Sequence, residues 1–135
     1  MTAPLKPSNG RRVLLIEDEP AIRDIYSTKL RMTGYEVLEA RDGLEGLDRA
    51  LHDRPDIVLL DVLMPEKDGF ETLSDLKANA SSRDVPVILM TNLNQDFEVK
   101  RGMSLGAAAY LVKANTSLDK IVETVEKTLS VKEKA

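Results

Sequence analysis

Five short apolar runs recur along the chain: Val13-Leu14-Leu15-Ile16, Val37-Leu38, Ile57-Val58-Leu59-Leu60, Val87-Ile88-Leu89-Met90 and Tyr110-Leu111-Val112. They are too short for buried helices and read as strands, and three of them lack polar alternation, as strands do when both faces of a parallel sheet are covered. The segments between them carry helical spacing. Ile22, Ile25, Tyr26 and Leu30 form one stripe with Gly34 placed to stop it; Leu44, Leu47 and Leu51 form a second, Phe70, Leu73 and Leu76 a third, and Leu118, Ile121, Val122, Val125 and Leu129 the last. Asp42 with Glu45, and Asp68 with Glu71, stand at capping-box distance. Residues 94–105 have a poorer stripe and an internal Gly102, so this helix is expected to be the least stable and the natural mobile element. Alternation of strand and helix five times gives a three-layer α/β fold with a parallel sheet and right-handed crossovers. The pattern leaves strand order open, but a doubly wound sheet places its ligand crevice at the carboxyl ends of the strands.

The 135 residues, 42% of them hydrophobic, are enough for one domain with a core of its own. Residues 1–11, with Pro4, Pro7, Ser8, Asn9 and Gly10, read as a flexible lead-in, 12–130 as the domain and 131–135 as a frayed charged tail. The chain has no cysteine, which removes disulfides and thiolate metal sites. A formal charge of -4 and a pI near 5.1 argue against direct binding to nucleic acid or an anionic membrane. No apolar run approaches the ~20 residues that span a bilayer, and the start lacks a signal-peptide core, so a cytoplasmic protein is expected.

Polar groups follow the strands in a pattern that turns the fold into chemistry. Glu17 and Asp18 follow the first run, Asp61 the third, Thr91 the fourth and Lys113 the fifth. A parallel sheet gathers all five on one edge. Taken singly each has an ordinary role: an acid after a strand caps a helix, a lone lysine is solvated, and Thr91 could cap the weak fourth helix. Their joint occurrence after four strands is what singles them out. Three clustered carboxylates repel one another unless a hard cation joins them, and Mg²⁺ suits oxygen donors where Zn²⁺ would want Cys or His. The one histidine, His52, lies far from this edge in a helix-end loop. A carboxylate can serve as nucleophile in phosphoryl transfer if the charge of the resulting acyl phosphate is neutralised, a task Mg²⁺, Lys113 and the Thr91 hydroxyl could share.

From Arg12 to Leu129 the chain resembles the receiver domain of two-component response regulators, in particular single-domain members of the chemotaxis-regulator kind. The resemblance rests on Leu15-Ile16-Glu17-Asp18-Glu19-Pro20, Leu60-Asp61-Val62-Leu63-Met64-Pro65 with Asp68-Gly69, Met90-Thr91, and Gly106-Ala107-Ala108-Ala109-Tyr110-Leu111-Val112-Lys113. It implies a flavodoxin-like sheet of five parallel strands in the order 2-1-3-4-5 with five helices, an arrangement for which a receiver is a stock example. It further implies that Asp61 takes a phosphoryl group from the phosphohistidine of a histidine kinase or phosphotransfer protein. Asp18, Asp61 and the backbone carbonyl of Leu63 would ligate Mg²⁺, with Glu17 acting through water. Thr91 and Tyr110 match the family's switch pair, which alters the face made by the fourth helix, fifth strand and fifth helix. Output would then be binding, to a downstream protein or to a second copy through that face.

The chain departs from the family at four places. Ala114 stands where proline usually follows the lysine in a cis bond; a cis bond to alanine costs about 2.5–4 kcal/mol, so Lys113-Ala114 is expected to be trans with a re-aimed loop or cis under strain. Asn92 stands where a small residue is favoured, and its bulk is expected to slow entry of a phosphodonor. Leu63 and Leu93 are apolar where fast-resetting relatives carry groups that align water, so they are expected to shield the acyl phosphate and lengthen the signal. Three other readings compete. A haloacid-dehalogenase-type phosphatase needs an acid where Leu63 stands, a flavodoxin needs a hydroxyl- and glycine-rich loop where Glu17-Asp18 stands, and a degenerate receiver would bind partners without phosphorylation. A P-loop is absent.

Overall fold

A computed structural model describes residues 10–134. The expected lead-in falls, up to residue 9, outside the described residues, as does Ala135. Every apolar run becomes a strand: β1 (Arg12–Ile16), β2 (Glu36–Ala40), β3 (Ile57–Asp61), β4 (Val87–Thr91) and β5 (Ala109–Val112). All pairings are parallel and the order is β2-β1-β3-β4-β5. Burial along the strands agrees with this order. β3 and β4 are buried at all five positions and take the middle, whereas β2 and β5, half-buried along much of their length, take the edges.

The two-residue period of the strands then divides the core. Leu14, Ile16, Val58, Leu60, Val87 and Leu89 face one side, where α2 (Gly43–Asp53) and α3 (Gly69–Ala78) bring Ala50, Phe70, Leu73 and Leu76. Val13, Leu15, Ile57, Leu59, Ile88 and Met90 face the other, against Leu30 of α1 (Pro20–Thr33) and Ile121, Val122, Val125 and Leu129 of α5 (Leu118–Lys134). The short α4 (Asp96–Ser104) lies on the first side, with Gly102 against Leu89 and Tyr110. Gly102 is its one buried residue, in keeping with the weak stripe.

Helix ends follow the sequence closely. Gly34 adopts φ 109°, and Tyr35 donates back to the Leu30 carbonyl at 3.1 Å, which closes α1. Asp68 and Glu71 form a complete capping box on α3. On α2 the box is half made: Asp42 Oδ1 accepts from the Glu45 amide at 2.8 Å, while the Glu45 carboxylate accepts from Arg41.

Two expectations need correction. Leu44 is 61% exposed and Ile25 52%, so neither joins the buried stripe of its helix. α2 instead buries Gly43, Gly46 and Ala50: a Cβ on Gly46 would stand 2.4 Å from Ile16 Cδ1 of β1 and one on Gly43 2.3 Å from Thr72 Oγ1 of α3, and this close packing leaves Leu44 at the surface. α1 buries Ser27, whose hydroxyl donates to Glu39 at 2.9 Å, which turns Ile25 to the surface. Helix α5 runs on to Lys134. No helix among the described residues is long and apolar enough to cross a membrane.

Candidate functional site

Because the strands are parallel, their carboxyl ends share one edge. The Glu17 amide extends the ladder to the Ala40 carbonyl at 3.1 Å, Asp61 ends β3 opposite Met90, Thr91 ends β4 opposite Val112, and Lys113 follows β5 directly. The structure thus brings together all five residues that the spacing placed on this edge.

Lys113 Nζ donates to Glu17 Oε1 at 2.7 Å and stands 3.3 Å from Asp61 Oδ2. The second oxygen of each acid is held by backbone: Glu17 Oε2 accepts from the Glu19 amide at 3.1 Å and Asp61 Oδ1 from the Leu63 amide at 3.3 Å. Carboxylate oxygens of Glu17, Asp18 and Asp61 lie within 4.8 Å of one another. Glu17 is 0% exposed and Asp61 4%, whereas Asp18 is half-buried. The donor set is all oxygen and faces one space, which fits a hard divalent cation. Thr91 is buried, and its Oγ1 accepts from the Leu93 amide at 3.3 Å. The half-buried Tyr110 donates its hydroxyl to the Leu93 carbonyl at 2.7 Å, so the β4–α4 loop is tied to β5. Leu63 is 55% exposed beside the acids and Leu93 half-buried.

Burial and then the charge of Glu17 push the Asp61 carboxyl up to about 6, although Lys113 and the Leu63 amide pull it back. For Lys113 burial works against the ammonium, but the hydrogen bond to Glu17 and the charges of both acids outweigh it and leave its pKa raised. A carboxyl raised in the fold stabilises the protein below its unfolded pKa near 4, and that contribution is lost as pH rises through about 6. Ionised Asp61 therefore costs stability in metal-free protein at neutral pH. Asp61→Asn is expected to stabilise it by about 2 kcal/mol at pH 8, with the gain vanishing toward pH 4. Urea unfolding in chelator at both pH values reads the difference.

The sequence left one part of the site unseen. Arg23 Nη1 donates to the Glu17 carbonyl at 2.7 Å, and Arg23 Nε pairs with Glu39 Oε1 at 3.3 Å. Ser27 and Arg31 hold the other Glu39 oxygen. This network anchors the loop that carries Glu17 and Asp18. Its signal was available: Glu39 is an acid inside a strand, in register with the buried Leu15, and needs a cation from the helix above it.

No peptide bond among the described residues is cis, so Lys113-Ala114 is trans. Lys113–Asn115 form a single 3-10 turn, closed by the Thr116 amide on the Lys113 carbonyl at 3.3 Å. The turn keeps the ammonium on Asp61 and Glu17, and Asn92 Oδ1 accepts from the Ala114 amide at 2.8 Å.

A family model described as the response regulator receiver domain matches residues 13–126. The chain belongs to this family. Among its relatives, "DNA-binding dual master transcriptional regulator RpaA" of Synechocystis sp. is 39% identical over 102 residues, which cover 76% of this receiver chain and 42% of that protein. "Transcriptional regulatory protein PdtaR" of Mycobacterium tuberculosis is 38% identical over 134 residues, 96% of this chain and 63% of that one. This chain therefore spans less than two thirds of the length of either relative. Among solved structures, chemotaxis protein CheY4 of Vibrio cholerae superposes with a TM-score of 0.83 at 29% identity, covering 88% of this chain and 98% of the other. The five-stranded parallel sheet with its five helices is thus the flavodoxin-like receiver fold. Receiver domains act in two-component signalling, with histidine kinases and downstream targets as partners.

Proposed function

We propose that Asp61 is the phosphoacceptor of this receiver and that the chain signals by a phosphorylation-dependent change in protein binding. The observation that carries this reading is a buried carboxylate with an ammonium 3.3 Å from Oδ2 and two further acids within 4.8 Å. An Asp61 oxygen attacks the phosphorus of a phosphohistidine on a histidine kinase or phosphotransfer protein. The P–N bond breaks, its electron pair leaves with the imidazole, and an acyl phosphate remains. Asp18, Asp61 and the Leu63 carbonyl would hold Mg²⁺, with Glu17 acting through water. Bound there, the cation supplies positive charge against the transferring oxygens. Lys113 pairs with one phosphoryl oxygen and the Thr91 hydroxyl donates to another.

Movement of Thr91 toward the phosphate would break its bond from the Leu93 amide and loosen the Leu93 carbonyl that Tyr110 holds. Thr91 and Tyr110 thus form a two-state element biased by a local charge. Its readout is the face of α4, β5 and α5, where Phe97 and Met103 are exposed, and its partner a downstream protein or a second copy. The apolar Leu63 and Leu93 align no water beside Asp61, which favours a long-lived acyl phosphate.

Incubation with acetyl phosphate and Mg²⁺, followed by intact mass, tests the reading. Wild type is expected to gain one phosphoryl group and Asp61→Asn none; equal behaviour of the two overturns the assignment. After donor removal, Leu63→Asn is expected to lose its phosphoryl group faster than wild type.

A further inference from the structure

The expected effect of Asn92 was steric, yet its side chain does something else: its carbonyl oxygen accepts the Ala114 amide at 2.8 Å, across 22 residues of chain. We propose that Asn92 is a positioning residue for Lys113, a side-chain latch that fixes the β5–α5 turn from which the ammonium reaches Asp61. The inference rests on Asp61 being the phosphoacceptor.

The turn needs such a support. Ala114 and Asn115 are exposed and pack no apolar side chain into either core layer. Without a proline ring to restrict the backbone, an exposed turn of this kind has several accessible conformations. Two bonds close the turn on itself, Thr116 N to Lys113 O at 3.3 Å and Thr116 Oγ1 to Val112 O at 2.7 Å. Only the Asn92 bond, among those described, ties the turn backbone to a neighbouring loop. It joins the residue after Thr91 to the residue after Lys113. The two phosphate-binding groups are thereby set at a fixed separation before any phosphoryl group arrives, and preorganisation of this kind lowers the barrier to transfer. The link also carries motion. When Thr91 moves, its neighbour Asn92 moves the β5–α5 turn with it, so the α5 end of the output face responds together with Tyr110.

Asn92→Leu keeps comparable bulk and removes the acceptor, which separates a latch from a gate. Metal affinity, measured with Mg²⁺ alone, is expected to stay within about twofold of wild type because the acids are untouched, while the rate of phosphorylation by acetyl phosphate falls about tenfold. The Ala114 amide, followed by hydrogen exchange in the unphosphorylated protein, is expected to exchange several-fold faster. In an Ala114→Pro background, which has no amide to donate, Asn92→Leu is expected to change the phosphorylation rate no further. Wild-type phosphorylation and exchange in Asn92→Leu, or an equal fall in the proline background, overturns the latch. Should wild type itself take up no phosphoryl group, it is the phosphoacceptor reading that fails. The latch is then decided by Ala114 exchange, and unchanged exchange refutes it.

Discussion

Lys113→Met is expected to destabilise the metal-free protein by about 3–5 kcal/mol at pH 8, the range for removing one partner of a buried ion pair. Lys113 is the cation shared by two acids: its ammonium holds Glu17 at 2.7 Å and Asp61 at 3.3 Å with only 12% of its side chain exposed. Methionine fills the space but leaves Glu17 Oε1 and Asp61 Oδ2 without that cation, in a site where they already repel. The Asp61 carboxyl then escapes part of the penalty by binding a proton. Its folded pKa, already raised by burial, rises further above the unfolded one, so stability is retained at low pH and lost as pH rises through the folded value. The deficit against wild type should therefore be large at pH 8 and shrink markedly by pH 5. Urea unfolding in chelator at the two pH values checks this, and a deficit independent of pH would mean that lost packing, not lost charge, is responsible. Mg²⁺ should restore much of the stability at pH 8 if the acids bind it, while phosphorylation stays impaired because the contact proposed between the lysine and a phosphoryl oxygen is gone. The variant thus separates the two tasks proposed for the cluster, holding a cation and stabilising the transferred group.

The same cluster shows what a sequence of this kind exposes and what it hides. Strand number, strand burial and the edge that holds Glu17, Asp18, Asp61, Thr91 and Lys113 were legible because each depends on short-range pattern: apolar runs set the strands, and parallel direction places their ends together. Strand order came from the family resemblance, since alternation alone does not distinguish which strand neighbours which. The orientation of α2 was misread for a reason of the same kind. Leucine spacing defines a face, but the closeness of Gly46 to Ile16 decides which side meets the sheet, and that distance depends on both partners. The Arg23–Glu39 network and the Asn92–Ala114 bond were hidden because their partners lie 16 and 22 residues apart and meet only through the fold. Ala114 marks the boundary. The sequence announced the departure from proline, but that the trans turn would still deliver Lys113 to Asp61 depended on Asn92 in another loop.

Gly69 carries the second large effect, and it shows how a residue without chemistry can fix the position of one that has it. The Asp68-Gly69 pair reads in sequence as turn or cap chemistry, and Asp68 does cap α3. Gly69 is required for a different reason. Its amide donates to the Val62 carbonyl at 2.8 Å, and a Cβ there would stand 2.4 Å from the Asp61 carbonyl oxygen and 2.6 Å from Val62 Cα. Both neighbours are backbone, so no side-chain rotation relieves the contact. Either α3 lifts from the sheet, with Phe70 and Leu73 losing their packing, or the end of β3 moves and takes Asp61 with it. Gly69→Ala is accordingly expected to cost about 3 kcal/mol, at the upper end for overpacking. Gly46→Ala gives the control. Its Cβ would come equally close, 2.4 Å to Ile16 Cδ1 and 2.8 Å to Cγ1, but these are side-chain atoms, which a shift of χ1 can move where backbone cannot. Alanine is also the better helix former, by about 0.8–1.0 kcal/mol, so the net cost at position 46 should be about 1 kcal/mol or less. Chemical denaturation of the two variants ranks them. A Gly69→Ala protein as stable as Gly46→Ala would show that the strand end yields readily. If so, its phosphorylation rate should fall instead, because the compliance would have been taken up by Asp61, displaced from Lys113 and the acids that surround it.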